Sequence, residues 1–192
     1  MRELPGMSAT RAGIVLFVLA VAAGPLYTAP GYSVVANLVS ELAAQHTPRN
    51  FLMSGAFLAL GAGIVFDGWR SFSRALIPFV AFGGFMALAG LFGHRPITPG
   101  VDYVEWVHAA HSALGTAAGI AITFAFAWQA LSQPTPARRI VAGGLAVLCF
   151  ALPLAMLSFP GVQGVIQRLM YLLVFAWLWL YYPKRVRSVR TP

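Results

Sequence analysis

Residues 140–159 read IVAGGLAVLCFALPLAMLSF, an apolar stretch without one charged side chain. A helix needs roughly 17 to 25 mainly apolar residues to cross the hydrocarbon of a bilayer, so this stretch predicts a transmembrane helix. Thr135 and Pro136 just before it predict the helix start, because a capping hydroxyl and a proline both suit the first turn. Pro153 lies inside the stretch and predicts a kink in the same helix.

Five further apolar stretches continue this pattern along the chain, at about residues 12–27, 51–66, 75–92, 106–131 and 165–182. In the second of them, Thr47 and Pro48 predict the helix start for the same reason. The composition agrees, since 59% of the 192 residues are apolar and 9% are charged, against about 25% charged residues in soluble domains. The sequence therefore predicts an all-α fold, in which residues 1–192 form a single bundle of six transmembrane helices.

The distribution of basic residues predicts the orientation of this bundle. Short cytoplasmic loops carry an excess of Lys and Arg, and all but three of the 13 basic residues fall on one side of the predicted bundle. We therefore expect both termini in the cytoplasm (N-in, C-in) and the protein in the plasma (inner) membrane. Because the net charge of +8 comes from these loops, we do not expect nucleic-acid binding. An aromatic belt is expected at the cytoplasmic interface, formed by Trp177, Trp179, Tyr181 and Tyr182.

Most other ionisable side chains fall at the opposite, extracytoplasmic end. They comprise all four histidines and three of the five acidic residues: His46, His94, His108, His111, Glu41, Asp102 and Glu105. Polar groups near hydrocarbon are costly and usually face the bundle interior or a cavity, so their convergence predicts a polar site. His46 and His94 lie in loops, where we expect them to be solvated.

The loop leading into the fourth span is the densest part of this set. Glu105, His108 and His111 are spaced three residues apart and would share one flank of a helix. We interpret Asp102 and Glu105 as candidate catalytic groups, and the two histidines as acid–base groups or as ligands of a divalent metal such as zinc. The alternatives are a capping box formed by Asp102 and Glu105, and histidines that only form hydrogen bonds within the bundle.

The first and last extracytoplasmic loops add four candidates. Glu41 is a candidate catalytic acid or base, and Ser40 is a supporting or nucleophilic hydroxyl. Gln167 and Arg168 open the sixth span, where an unpaired guanidinium is costly, so we expect Arg168 to hold an anionic group of a substrate. The structural alternatives are ion pairs, either of Arg168 with Glu41, Asp102 or Glu105, or of Glu41 with Arg49 or Arg168.

Small residues at four-residue spacing predict close helix packing in a membrane. They occur in three of the spans as Gly55, Ala59 and Gly63, as Gly83 and Ala87, and as Gly115 and Gly119. We interpret them as packing positions rather than ligand-binding positions. The helices that they join could belong to one chain, to a second copy in a homo-oligomer or to a partner membrane protein.

Three short motifs carry a family resemblance. They are Ser40-Glu41-Leu42 after the first span, His108 or His111 near the start of the fourth, and Gly164-x-x-Gln167-Arg168 at the sixth. In these motifs the chain resembles the bacterial membrane family catalogued as domain of unknown function 998, from the first span to Tyr182. The resemblance implies a six-helix bundle with polar residues grouped at one end, and no settled activity. Asp102 and Glu105 do not match the family pattern.

Two functions fit these observations. The first is a small membrane enzyme with a site on the extracytoplasmic face, which acts on a lipid or isoprenoid-like substrate by acid–base or metal-assisted chemistry. The second is a non-enzymatic component that binds membrane lipid or another ligand, or that serves as a partner subunit. Transport is disfavoured, because no charged residue lies at mid-span and no inverted repeat is visible. The sequence leaves the cofactor open, with a divalent metal as the candidate.

Overall fold

The computed structural model describes residues 7–70 and 73–188, with side chains described as far as Tyr182. It contains six α-helices, which are α1 (Ala9–Tyr27), α2 (Phe51–Trp69), α3 (Ile77–Ala89), α4 (Glu105–Ser132), α5 (Pro136–Ser158) and α6 (Gln163–Ser188). The connections contain three short 3₁₀ helices, Val39–Ala43, Arg74–Leu76 and Pro160–Val162. No β-strand forms within the described ranges, and the all-α, six-helix prediction is confirmed.

Five of the helical segments are long and apolar enough to cross a membrane. The third predicted span is the exception, because α3 has only 13 residues and, with the 3₁₀ turn before it, extends over Arg74–Ala89. The helix ends before residue 92, where the predicted span ended. The chain therefore has the architecture of a multi-pass membrane protein with one short helix.

One predicted helix start is confirmed and another is wrong. α5 begins at Pro136 with Thr135 at its N-cap, although the Thr135 hydroxyl makes no capping hydrogen bond. The helix α2 begins at Phe51 and not after Thr47. The residues between are held in turns, for example by the hydrogen bond from the Asn50 amide to the Thr47 carbonyl (3.2 Å).

The predicted capping box at the start of α4 is also wrong. The helix begins at Glu105 with an extended Val104 at its N-cap, so Asp102 lies outside it. The side chain of Gln45 holds Val104 extended, because its Oε1 accepts from the Val104 amide (2.9 Å) and its Nε2 donates to the Val104 carbonyl (3.1 Å). A tertiary contact therefore sets the start of this helix.

Consecutive helices pack as neighbours from α1 to α6, and α6 also contacts α1, which closes the bundle. Aromatic rings fill the space where α1, α2 and α6 meet. Phe17 packs edge-on against Phe57, Tyr171 and Phe175, with ring centroids 5.0 to 5.1 Å apart. Such contacts add to the free energy gained by packing the helices.

Small residues bring three helices close together, as their spacing predicted. A Cβ atom at Gly61 of α2 would collide with the backbone of Gly83 and Ala87 in α3. A Cβ atom at Gly63 would lie 2.5 Å from the carbonyl oxygen of Ala9 in α1. The packing interpretation is therefore confirmed for Gly63 and Gly83. It is wrong for Gly55, which is exposed and has no neighbouring atom within 4 Å of an added Cβ position.

The end of the bundle where α1 begins and α2 ends carries Arg11, and we call it the basic end. Its polar side chains bond to the backbone of neighbouring helices. Asp67 Oδ2 accepts from the Thr10 amide (2.8 Å), and the Thr10 hydroxyl donates to the Gly63 carbonyl (3.2 Å). Arg11 Nη2 donates to the Trp179 carbonyl (2.8 Å). These bonds join α1 to α2 and to α6.

The predicted aromatic belt at this end is divided between surface and core. Trp179 and Tyr181 are 37% and 38% exposed, which suits a belt. Trp177 and Tyr182 are buried, and the Trp177 ring stacks on Phe79 of α3 at a centroid distance of 4.7 Å. The belt prediction is wrong for these two residues, which close the interior at the basic end.

Candidate functional site

A cavity of about 580 Å³ lies between α3, α4, α5 and α6. This volume falls within the range of about 300 to 1,000 Å³ that is usual for small-molecule sites. Its walls are mainly apolar and include Phe82, Met86, Ile122, Phe150, Met170 and Val174. Four buried polar side chains also line it: Ser40, His94, His111 and Gln167. All four lie at the end of the bundle opposite the basic end, which we call the histidine end.

The cavity extends along the helices away from the histidine end. On α4 its lining runs from His111 to Phe124, about 20 Å at 1.5 Å of rise per residue. Two of its lining residues, Phe124 and Phe150, are more than half exposed and belong to helices long enough to cross a membrane. The cavity is therefore open on the lipid-facing side of the bundle.

Gly115 and Gly119 of α4 line the cavity and do not pack against a helix. No atom of another element lies within 4 Å of the position that a Cβ atom would take at either residue. The packing interpretation is therefore wrong for this pair. The small size of these glycines leaves volume in the cavity. Their four-residue spacing is the same as that of glycines at a helix contact, so the sequence alone could not distinguish the two roles.

Three histidines form a cluster at the histidine end. The ring of His94 lies between the other two, with centroids 4.6 Å from His108 and 5.7 Å from His111, each in an edge-on arrangement. His94 comes from the loop after α3, whereas His108 and His111 lie on consecutive turns of α4. The structure therefore brings together the two histidines predicted as site residues and adds a third.

The hydrogen bonds of His111 determine which of its nitrogens is free. Nδ1 lies 3.0 Å from the Ala89 carbonyl oxygen and 2.8 Å from that of Phe92. Carbonyl oxygens only accept, so Nδ1 carries the proton and caps the end of α3, where helix carbonyls lack partners. Nε2 is left as an acceptor and makes no hydrogen bond within the described part of the chain.

His94 is buried, with 8% of its surface exposed, so the prediction of a solvated residue is wrong. Its Nδ1 donates to the Arg95 carbonyl (3.1 Å), which leaves Nε2 as an acceptor, as in His111. The pKa of His94 is lowered from 6.5 to about 4, mainly by burial. The hydrogen bond to the Arg95 carbonyl opposes this lowering of the pKa, and the neighbouring His111, His108 and Arg95 side chains add to it. His94 is therefore neutral at pH 7.

The remaining two histidines differ from this pair. His108 Nδ1 accepts from the Arg95 amide (3.2 Å), so its proton resides on Nε2, and the residue does not line the cavity. His46 is exposed, as predicted for a loop histidine. Within the described residues, no group of three or more His, Cys, Asp or Glu side chains is arranged to hold a metal ion. Metal binding by His108 and His111 stays a prediction.

Ser40 and Gln167 meet at the cavity from distant parts of the chain. Gln167 Oε1 accepts from the Val39 amide (2.6 Å), which orients the side chain and leaves its NH₂ group as a donor. Neither that NH₂ group nor the Ser40 hydroxyl makes a hydrogen bond to the described residues. Both side chains are therefore available to a ligand.

Glu41, predicted as a catalytic acid or base, is buried but does not line the cavity. Its Oε2 accepts from the Leu38 amide (2.6 Å) at the start of the 3₁₀ helix Val39–Ala43. The alternative of an ion pair with Arg49 or Arg168 is wrong, because the carboxylate bonds to its own turn instead.

Arg168 holds the first loop against the start of α6. Its Nη1 donates to the carbonyls of Val34 (2.8 Å), Asn37 (3.1 Å) and Gly164 (2.9 Å), and its Nη2 donates to the Tyr32 hydroxyl. The alternative of an ion pair between Arg168 and a carboxylate is therefore wrong. Burial raises the pKa of Tyr32, and the Arg168 charge opposes that rise. Arg168 does not line the cavity, and its predicted role toward an anionic group stays a prediction.

Asp102 and Glu105 are exposed and lie outside the cavity. Glu105 instead accepts a hydrogen bond from the Tyr103 hydroxyl, which raises the pKa of Tyr103. The structure therefore separates these two predicted catalytic carboxylates from Ser40, His111 and Gln167.

Gln45 is a residue that sequence reasoning missed. Besides its bonds to Val104, its Nε2 donates to the Gly93 carbonyl (3.2 Å), and its backbone amide donates to the His94 carbonyl (2.8 Å). It thereby fixes the loop that carries His94. No local pattern marks this residue, because its side-chain partners lie 48 and 59 positions away in the sequence.

These features define a class of protein, a multi-pass helical membrane protein whose bundle contains an apolar cavity with a polar end. Residues 11–182 match the family described as "Protein of unknown function (DUF998)", and the chain belongs to that family. The resemblance found in the three short motifs is thus confirmed over nearly all of the six helices. No curated protein and no solved structure shows a significant match to the chain.

Proposed function

We propose that this protein binds a lipid or isoprenoid-like amphiphile, with its apolar chain in the cavity and its head group at the histidine end. The observation that carries the proposal is one continuous volume with apolar walls and four buried polar side chains at a single end. At roughly 30 Å³ for a group the size of a water molecule, about 580 Å³ holds about 20 such groups. This capacity suits one chain and a small head group.

Three motifs of the family resemblance support the same site. Ser40, His111 and Gln167 lie in separate loops and helices, yet all three line this cavity. A bundle that only anchored a partner subunit would not need them at one cavity. We therefore favour ligand binding as the shared purpose of these residues.

The membrane environment determines what the two parts of the site contribute. A lipid chain gains little by leaving other lipid chains for the cavity, because both surroundings are apolar. Specificity must therefore come from the fit of the walls and from hydrogen bonds at the polar end. With the orientation predicted by the basic residues, the polar end faces the extracytoplasmic leaflet of the plasma membrane, from which the ligand would enter.

An enzyme that acts on the same ligand is the second candidate, and the geometry of His111 favours it. Its Nδ1 is anchored by two backbone carbonyls, while its Nε2 is unbonded in the described structure. A histidine oriented in this way can take a proton from a substrate hydroxyl or a water molecule as a general base. Ser40 lines the same cavity and is the accompanying hydroxyl.

A chain-labelled probe tests the binding proposal. The purified protein in lipid nanodiscs is illuminated with a fatty-chain amphiphile that carries a diazirine in its chain, and cross-linked peptides are mapped by mass spectrometry. We expect cross-links on the cavity-lining stretches of α4 and α5, and competition by the unlabelled amphiphile. Labelling spread evenly over the lipid-facing surface, without competition, would overturn the proposal.

A pair of glycine variants controls this experiment. Gly119→Leu places a large side chain in the cavity, whereas Gly144→Leu places one on an exposed position of α5 that is equally free of neighbours within 4 Å. We expect Gly119→Leu to abolish specific cross-linking and Gly144→Leu to leave it unchanged. Equal effects of the two changes would contradict the assignment of the chain to the cavity.

A further inference from the structure

We propose that the site selects an uncharged head group that donates hydrogen bonds, such as the hydroxyls of a monoacylglycerol or an isoprenoid alcohol, over an anionic phosphate. This inference rests on the proposed function, because it specifies the ligand of the same cavity. It is carried by the charge of the cavity lining and by the donors and acceptors left free there.

The cavity lining contains no Asp, Glu, Lys or Arg among the described residues. Two charged groups that adjoin lining residues in the sequence are engaged elsewhere, since Arg168 bonds to three carbonyls and a tyrosine hydroxyl, and Glu41 bonds to the Leu38 amide. A third, Arg95 next to His94, is exposed and does not line the cavity. An anionic head group inside the cavity would therefore lose its hydration without meeting a counter-charge in the lining, which is costly in an apolar setting.

The two histidines at the polar end leave free acceptors, so a ligand that binds there must donate hydrogen bonds to them. Nε2 of His94 and Nε2 of His111 are both acceptors, because each ring has its proton on Nδ1. A deprotonated phosphate oxygen has no hydrogen to offer them and would face two lone pairs. A hydroxyl group can donate to one of these nitrogens while it accepts from the Gln167 NH₂ group or the Ser40 hydroxyl.

Protonation of His94 would remove this conflict, but the surroundings oppose it. The ring is buried, and His108, His111 and the guanidinium of Arg95 disfavour a further positive charge beside them. A head group with two hydroxyls, as in a monoacylglycerol, can satisfy both histidine acceptors at once. The geometry therefore matches a neutral diol or alcohol.

The test compares two probes with the same diazirine-labelled acyl chain, a monoacylglycerol and the phosphate monoester of that monoacylglycerol, on the full chain in nanodiscs at pH 7.5. We expect the monoacylglycerol probe to reach half-maximal labelling of the cavity at a concentration about tenfold lower than the phosphate probe. This ratio corresponds to the free energy of one or two well-formed hydrogen bonds. Stronger or equal labelling of the cavity by the phosphate probe would overturn the inference and leave the proposed function standing. Labelling of the cavity by neither probe would overturn the proposed function itself.

His111→Asn separates recognition from folding. The Asn side chain keeps a donor near the position of Nδ1 for the Ala89 and Phe92 carbonyls but lacks an acceptor at the position of Nε2. We expect the preference for the neutral probe to fall several-fold, toward parity, with unchanged thermal unfolding. An unchanged preference for the neutral probe in a folded His111→Asn protein would contradict the role of this acceptor. The same measurement on His94→Asn tests the second acceptor independently.

Discussion

The two ends of the bundle use buried polar groups in opposite ways. At the basic end, the Asp67 carboxylate and the Tyr182 hydroxyl bond to the backbone of a neighbouring helix, at the Thr10 amide and the Ile64 carbonyl. At the histidine end, the buried polar side chains that line the cavity keep at least one donor or acceptor unbonded in the described structure. The polar groups of the first end therefore join helices, whereas those of the second are the groups that the proposed ligand would use.

The difference extends to the packing around these groups. The Trp177 ring stacks on Phe79 and packs edge-on against Phe126 (5.3 Å), which closes the space between α3, α4 and α6 at the basic end. Toward the histidine end, Gly115 and Gly119 leave the corresponding face of α4 open. Gln129 is an exception to this difference between the two ends. It lies toward the basic end, yet its buried Nε2 has no hydrogen-bond partner among the described atoms.

The largest expected effect separates glycines that pack from glycines that line the cavity. Gly61→Leu should destabilise the fold by about 3 kcal/mol or more, because the new side chain meets the backbone of α3. Gly119→Leu should leave thermal unfolding in detergent nearly unchanged while it blocks ligand labelling. Similar unfolding temperatures for the two variants would break the distinction between a packed and an open glycine.

The pH dependence of stability sharpens the contrast at His94. In the folded protein the pKa of His94 is about 4, below its ordinary 6.5, so the unfolded chain binds more protons between these values. The contribution of neutral His94 to the free energy of unfolding is fully present above about pH 6.5 and decreases as the pH falls toward 4. At 1.36 kcal/mol per pKa unit, the total loss is at most about 3 kcal/mol. Unfolding followed from pH 7.5 to 4.5 should show a shallower loss for His94→Gln than for the wild type.

The matched control for that measurement is His46→Gln, because His46 is exposed at the same end of the bundle. Its unfolding curve should follow that of the wild type at every pH. If His94→Gln and the wild type lose stability in parallel, a neutral His94 contributes nothing to the folded state.

A smaller effect is expected at the basic end. Asp67→Ala should cost about 2 kcal/mol, since it leaves the Thr10 amide without its charged acceptor at the first turn of α1. Thermal unfolding is the measurement, and probe labelling per folded molecule should persist because Asp67 lies far from the cavity lining. The exposed Asp102→Ala change should stay within about 0.5 kcal/mol. A loss of ligand labelling in folded Asp67→Ala protein would show that this end also serves the site.

The smallest effect concerns the positioning of His94. Gln45→Ala should cost about 1 kcal/mol, because its bonds to Gly93 and Val104 are partly exposed. It should also weaken the preference for the neutral probe by loosening the loop that carries His94. Gln163→Ala is the control, as its side chain makes no hydrogen bond to the described residues. An unchanged preference for the neutral probe in Gln45→Ala would mean that His94 keeps its position without the hydrogen bonds of the Gln45 side chain.

The candidate site was predictable only in part. Ser40, His111 and Gln167 were predicted as site residues, and the structure places them at one cavity. Asp102 and Glu105 looked equally good by chemistry, yet they lie outside it, because Asp102 precedes α4 and Glu105, the first residue of that helix, is exposed. A sequence pattern indicates which residues can do chemistry at one end of a bundle but not which of them face the same space.

The sequence by itself determined that the chain is a bundle of six helices with its polar residues grouped at one end, because hydropathy and chain length act locally on each helix. Only the tertiary structure decided that Gly119 lines a cavity while Gly63 packs against α1, and that His94 turns inward. These outcomes depend on the rotation of each helix and on hydrogen bonds between residues far apart in the chain. Such long-range contacts leave no periodic trace in the sequence.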